Sequence, residues 1–225
     1  MPKNMLDFFN KEDSKKMVGQ AKRLFEKGVQ TGRAELKKAI DRMKAERARR
    51  EREKAYEEEY EAEFRYKDED LDFSMLISAE EARVYQKARR KLKEVQLVQS
   101  DPDVQKQWES KKYLSLHDHF GEQIEYYYPK RNEDPLALHR TIRYCERQIE
   151  YAPVAVKAYG MDPYQYGLPT HSGYDRLVSL YEEVGEWDEA LRLSHRAKDQ
   201  GWEGDWAARI RRLEENIRKK SNEQP

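Results

Sequence analysis

The sequence holds a single cysteine, Cys145, in 225 residues. One thiol can form neither a disulfide framework within the chain nor a multi-thiol zinc site, and it points to a reducing compartment. Glycine and proline are sparse, ten and eight. Period-two alternation is nearly absent, so little of the chain reads as strand. No apolar run approaches the roughly 18 residues that mark a membrane span. The opening MPKNMLDFFNKEDSKK lacks the apolar stretch of a signal peptide. Lys plus Arg equals Asp plus Glu, 44 of each, so no global field points to nucleic acid or membrane. These absences predict a soluble cytoplasmic protein with no membrane partner.

What is present is charge and helix formers. Charged residues make up 39% of the chain and hydrophobic residues 37%. An average domain is about 25% charged, so the whole chain cannot form one compact core. Glu, Lys, Arg, Ala, Leu and Gln dominate, all good helix formers. The predicted fold class is all-α: a charged helical arm over 1–76, partly extended, connecting helices over 77–111 that pack on the array, a repeat domain over 112–220 with a terminal capping helix, and a flexible tail over 221–225.

In the arm, Met17, Leu24 and Phe25 mark one face of a short docking helix, and Leu36, Ile40 and Met43 mark a second apolar stripe. KAERARREREK follows, with i,i+4 pairs such as Arg47 with Glu51 and Arg49 with Glu53 that support a solvated helix. In YEEEYEAEFRYKDEDLDF, Tyr56, Tyr60 and Phe64 recur every four residues, which extends the helical reading. Residues 33–54 are net basic and 57–72 acidic. That order opposes the helix dipole and suits folding back or antiparallel pairing with a second copy.

Beyond the arm, Ser78 and Glu81 have the spacing of a capping box. Tyr85, Ala88, Leu92 and Val95 give the helix one apolar face, opposite Arg83, Lys87, Arg89, Arg90, Lys91 and Lys93. Asp101-Pro102 starts another helix with an N-cap and a first-position proline, on which Trp108 is expected to anchor packing.

The C-terminal half contains an internal repeat. HDHFGEQIEYYY, from His117, aligns without gaps on HSGYDRLVSLYE, from His171. The alignment matches Phe120 with Tyr174, Ile124 with Val178 and Tyr127 with Tyr181. Each segment is followed by a turn and a second helix, Thr141–Pro153 in the first unit and Ala190–Trp202 in the second. In the second unit Tyr174, Leu177 and Tyr181 precede a turn at Gly185. Trp187 then opens the next helix, and Ala190 and Ala197 take the small positions where helices touch. This pattern resembles the tetratricopeptide (TPR) repeat. Val178, Ser194 and Trp202 depart from it in the second unit and Gln148 in the first, while Pro153 keeps the closing proline and Cys145 takes a position for a large residue. Gly201 ends the second helix, Asp205 opens the last one, and Trp206, Ile210, Leu213 and Ile217 form its apolar stripe.

Candidate chemistry is thin. His117 and His119 point about 200° apart on a helix, which does not suit a shared metal, so no metal and no cofactor is expected. His117 and His171 fall near expected helix starts and read as capping or packing residues. Cys145 reads as a small buried residue. No triad spacing, phosphate-binding glycine loop or zinc-protease motif stands out, and no catalytic residue is assigned. The segment VAVKAYGMDPYQYGLPT reads as a wrap between hairpins or an aromatic wall.

The resemblance implies partner binding in a groove lined by first helices. Carried onto this sequence, that face includes Asp175, Ser179, Glu182 and Glu183, with Tyr126, Tyr164 and Tyr166 supplying aromatic contact area. Acids stand where families that clamp a peptide carboxylate use lysine and asparagine, so a basic or mixed segment is the expected ligand. The sequence therefore reads as a non-enzymatic adaptor or scaffold. Two alternatives stand beside this: a homo-oligomer assembled through the charged arm, and a nucleic-acid-associated regulator using the basic patches 33–54 and 83–93.

Overall fold

Phe64 and Tyr66 are buried while Glu63, Arg65 and Lys67 between them face water. That alternation belongs to a strand. In the computed structural model, which describes Arg42 and residues 62–222, strand β1 (Ala62–Lys67) pairs antiparallel with β2 (Asp72–Ile77), Phe64 opposite Met75 and Tyr66 opposite Phe73. The connection is held by Asp68, whose Oδ1 accepts from the backbone N–H of Asp70 (2.9 Å) and of Leu71 (2.7 Å). This corrects the helix expected to continue through residue 76. A four-residue recurrence is also an even one, so it shares a face of a strand as well as of a helix. Phe64, Phe73 and Tyr66 are also strand formers. The rest of the arm, including Tyr56, Tyr60 and, apart from Arg42, the basic run 33–54, lies outside the described residues.

Six helices follow. They are α1 (Ala79–Val98), α2 (Pro102–Tyr127), α3 (Pro135–Met161), α4 (Ser172–Val184), α5 (Trp187–Gln200) and α6 (Trp206–Asn222). The described chain is therefore mostly helical, as expected. A single 3₁₀ turn (Tyr128–Lys130) follows α2, and a short parallel pair links β3 (Leu168–Thr170) to β4 (Trp202–Glu203). No described helix is long and apolar enough to cross a membrane.

Several starts and stops follow the predicted chemistry. Ser78 caps α1 with the reciprocal Glu81 bond, and Asp101 caps α2 ahead of Pro102. Gly185 and Gly201 end α4 and α5 in the left-handed region, at φ 75° and 85°. A β-carbon there costs about 1–2 kcal/mol, which explains glycine at both corners.

Other boundaries differ. Helix α2 runs unbroken through the expected division at 111–112. Helix α3 begins at Pro135 rather than Thr141, capped by Asp134, whose Oδ1 accepts from Leu136 N–H at 2.9 Å. The helix also continues through Pro153 instead of closing there. An internal proline costs roughly 3 kcal/mol. Burial of Val154, Ala155 and Ala158 in the core favours continuation. Half of the expected wrap is therefore helix. Trp108 stays outside the core cluster, partly exposed, with Lys111 Nζ 4.8 Å from its ring.

Helices pack on their chain neighbours, α1 on α2, α2 on α3, α3 on α4, α4 on α5 and α5 on α6, and α2 also touches α4. Ala190 and Ala197 are fully buried where α5 meets its neighbours. The hairpin sits against this body through Phe64, which meets Tyr85 and Tyr151, and Tyr66, which meets Tyr113. An isolated two-stranded hairpin is marginal in water, so these ring contacts help to hold it, together with the bond from Arg147 to Leu76 O and the ion pairs of Lys157 with Asp68 and Asp70.

Candidate interaction face

Asp175, Ser179 and Glu182 lie three and four residues apart on α4 and share one side of it. One arginine of α6 reads all three. Arg209 donates to Asp175 Oδ1 (2.9 Å), Ser179 Oγ (2.7 Å) and Glu182 Oε2 (2.8 Å). Arg212, one turn further along α6, donates to Glu182 Oε1 at 2.9 Å. On the other side of the same face, Arg176 bridges Glu125 of α2 at 3.3 Å. Glu183 accepts from Arg131, beyond the end of α2, at 2.9 Å. Helix α4 thus lies between α2 and α6 and is bonded to both by charged side chains.

The four acidic and hydroxyl residues expected on one face are brought together, but each already has an intramolecular partner. Burial alone would raise the pKa of Glu182, and the hydrogen bonds from Arg209 and Arg212 outweigh it, so the carboxyl is held below its usual range. What the sequence could not supply was the identity of those partners. Arg209 is 34 residues from Asp175, and any of the many arginines of α6 could have faced it.

The tyrosines separate. Tyr126 lies in the last turn of α2, exposed, with Lys130 Nζ 3.3 Å from its ring centroid. Tyr164 and Tyr166, also exposed, follow the far end of α3. At 1.5 Å per residue α3 is roughly 40 Å long, so these three do not form one wall with the α4 residues.

Between α4 and α6 opens a cleft of about 510 Å³, lined among others by Glu125, Arg176, Trp206 and Arg209. Two lining carboxylates were not expected at this face: Glu203 on β4, and Asp205, read from the sequence only as the start of α6. Both are exposed, and neither has an ion-pair partner among the described residues. The rim of the cleft therefore carries carboxylates without an ion-pair partner among the described residues, beside carboxylates already paired to arginine.

Behind the cleft is a buried imidazole and indole cluster. His171 caps α4, its Nδ1 accepting from Tyr174 N–H at 3.2 Å, as the capping reading expected. His117 is not near a helix start but mid-way along α2, where it stacks on Trp202 (5.5 Å between centroids) and meets His171 at 5.0 Å. Gln148 ties the two helices together. Its Nε2 donates to His117 O (3.0 Å), and its Oε1 accepts from Gly173 N–H (2.6 Å). This gives a physical reason for glutamine where the repeat pattern has alanine.

Burial, with His117 adding to it, pushes the His171 pKa well below its ordinary 6.5. The unfolded chain then binds the extra proton first. Stability is full above about pH 6.5 and falls as pH drops, at about 1.4 kcal/mol per unit for one such group. Urea unfolding at pH 7.5, 6.5 and 5.5 is expected to show this slope, and His171→Asn, which keeps a capping side chain, is expected to flatten it. An equal slope in the variant would contradict the assignment.

The described residues contain no cluster of metal-ligating groups. Cys145 is fully buried, and burial raises its pKa, which holds it as the thiol rather than the nucleophilic thiolate. Comparison with known proteins gives no matching family model, no matching curated protein and no matching solved structure.

Proposed function

We propose that this chain is a non-enzymatic interaction module, a TPR-like pair of helical hairpins that receives a basic or mixed-charge segment of a partner protein at the α4–α6 cleft. The observation that carries the reading is the charge layout. Asp175, Ser179 and Glu182 are locked to Arg209, while Glu203 and Asp205 beside them keep free carboxylates at the rim. The inner network fixes the cleft's shape, and the outer pair supplies attraction. Trp206, buried, is among the residues that line the cleft.

This layout decides which variants test the proposal. Reversing Asp175 or Glu182 disturbs the α4–α6 junction itself. Glu203→Lys with Asp205→Asn leaves that junction intact. Fluorescence anisotropy with a labelled Lys/Arg-rich helical peptide is expected to give saturable binding to the parent chain and at least a tenfold loss, of order 1.4 kcal/mol, in the double variant. Equal affinity for both chains removes the cleft from the proposal.

A further inference from the structure

Beyond α1, at least six of the eleven arginines of the helical body have carboxylate partners. Arg131, Arg147, Arg176, Arg192, Arg209 and Arg212 all form ion pairs. Helix α1 breaks that habit. It carries six cations against three carboxylates. One of those carboxylates, Glu81, is buried against Arg147, and another, Glu94, is paired with Lys91. Arg83, Lys87, Arg89, Arg90 and Lys93 are exposed, and none has an ion pair among the described residues.

Their placement is directional. Leu92 and Val95 bury the opposite side of α1. Arg83, Lys87, Arg90 and Lys93 follow one another at spacings of four, three and three, which keeps them on the outward face. They span roughly 15 Å of helix. Charges along one nucleic-acid strand repeat about every 3.4 Å, so the row matches about four phosphates.

We propose that the outward face of α1 binds the phosphate backbone of double-stranded nucleic acid. Two features favour this over an acidic protein. A protein interface has an apolar, charge-depleted centre, and here the centre is the cations themselves. The only strongly exposed apolar side chains of α1, Leu97 and Val98, lie past the last of them. Duplex is favoured over single strand because the row has no exposed ring on which bases could stack. Tyr85, the aromatic residue of α1, packs inward on Phe64. Contacts of this kind position a protein without reading sequence. The surface shares no residue with the α4–α6 cleft, so either proposal can fail alone.

The test uses the full chain and a labelled duplex of about 25 base pairs, titrated by fluorescence anisotropy from 50 to 250 mM salt. The expected slope of log K against log salt is about −4, with no preference between unrelated sequences. Arg83→Gln, Lys87→Gln, Arg90→Gln and Lys93→Gln together are expected to bring the slope close to zero and weaken binding roughly a thousandfold at 0.1 M salt. Circular dichroism confirms that the variant stays folded. An unchanged slope in the variant overturns the proposal, because the phosphate contacts then lie elsewhere. Failure of the parent chain to bind duplex at 50 mM salt also overturns it. Tighter binding of an acidic helical peptide than of duplex reassigns the face to a protein.

Discussion

Replacing Arg147 by Met is expected to cost 3–5 kcal/mol of folding stability, measured by urea unfolding. Arg147 is buried in α3, 66 residues from its partner Glu81. Its Nη2 donates to Glu81 Oε2 at 2.6 Å and its Nε to Glu81 Oε1 at 3.0 Å, a two-pronged contact. The same Nη2 also donates to Leu76 O of β2 at 3.0 Å. Glu81 in turn accepts from Ser78 N–H in the capping box. One guanidinium therefore fastens the hairpin, the start of α1 and the middle of α3. Removing it leaves a buried carboxylate without its counter-charge, which is the costly way to break such a pair. Removing both members by Glu81→Met with Arg147→Met is expected to recover most of the loss, short of about 1 kcal/mol for the cap. If Arg147→Met alone changes stability by less than 1 kcal/mol, the pair is not the fastening described.

Trp202→Ala is expected to cost a similar 3–5 kcal/mol. The indole is almost fully buried. It stacks on His117, meets His171 at 4.5 Å and Tyr159 at 6.0 Å, and donates from Nε1 to Gln200 Oε1 at 2.9 Å. Its carbonyl accepts from Trp206 Nε1–H at 3.0 Å, which ties it to the start of α6. Alanine would open a cavity among groups drawn from α2, α3, the cap of α4 and α5. Trp202→Phe keeps a ring but loses the N–H bond, and is expected to cost about half as much. Thermal unfolding compares the three chains. A loss below 1 kcal/mol for alanine would mean that the cluster closes without strain.

How much of this was legible depended on the range of the interaction. Local signals read directly. The Ser78–Glu81 box, the Asp101-Pro102 start and the Gly185 and Gly201 corners each rest on a few adjacent residues. Asp134-Pro135 carries the same start signal as Asp101-Pro102 and was readable by the same rule. The hairpin was not separable from a helix by the spacing of Phe64, and its turn, held by Asp68, has neither glycine nor proline to mark it. Pro153 looked like a stop because local propensity says so, and core burial around it decided otherwise.

The candidate face divides along the same line. That Asp175, Ser179 and Glu182 share a side follows from helical periodicity. That Arg209 and Arg212 occupy them does not, because it depends on how α6 is rotated against α4. Glu203 gave no sequence signal and Asp205 reads only as a helix start, since acids in an acid-rich chain say nothing of a cleft until one forms around them. Tyr126 stands apart from Tyr164 and Tyr166 because the length of α3 separates them.

We propose above that a partner segment is received at the α4–α6 cleft. The direct measurement is a series of ¹⁵N–¹H spectra of the full chain titrated with the Lys/Arg-rich helical peptide. Saturable shifts are expected at the Glu203 and Asp205 amides and at the Trp206 indole N–H, with the β1–β2 hairpin unmoved. Absence of saturable shifts at millimolar peptide, or saturable shifts confined to other surfaces, would contradict it.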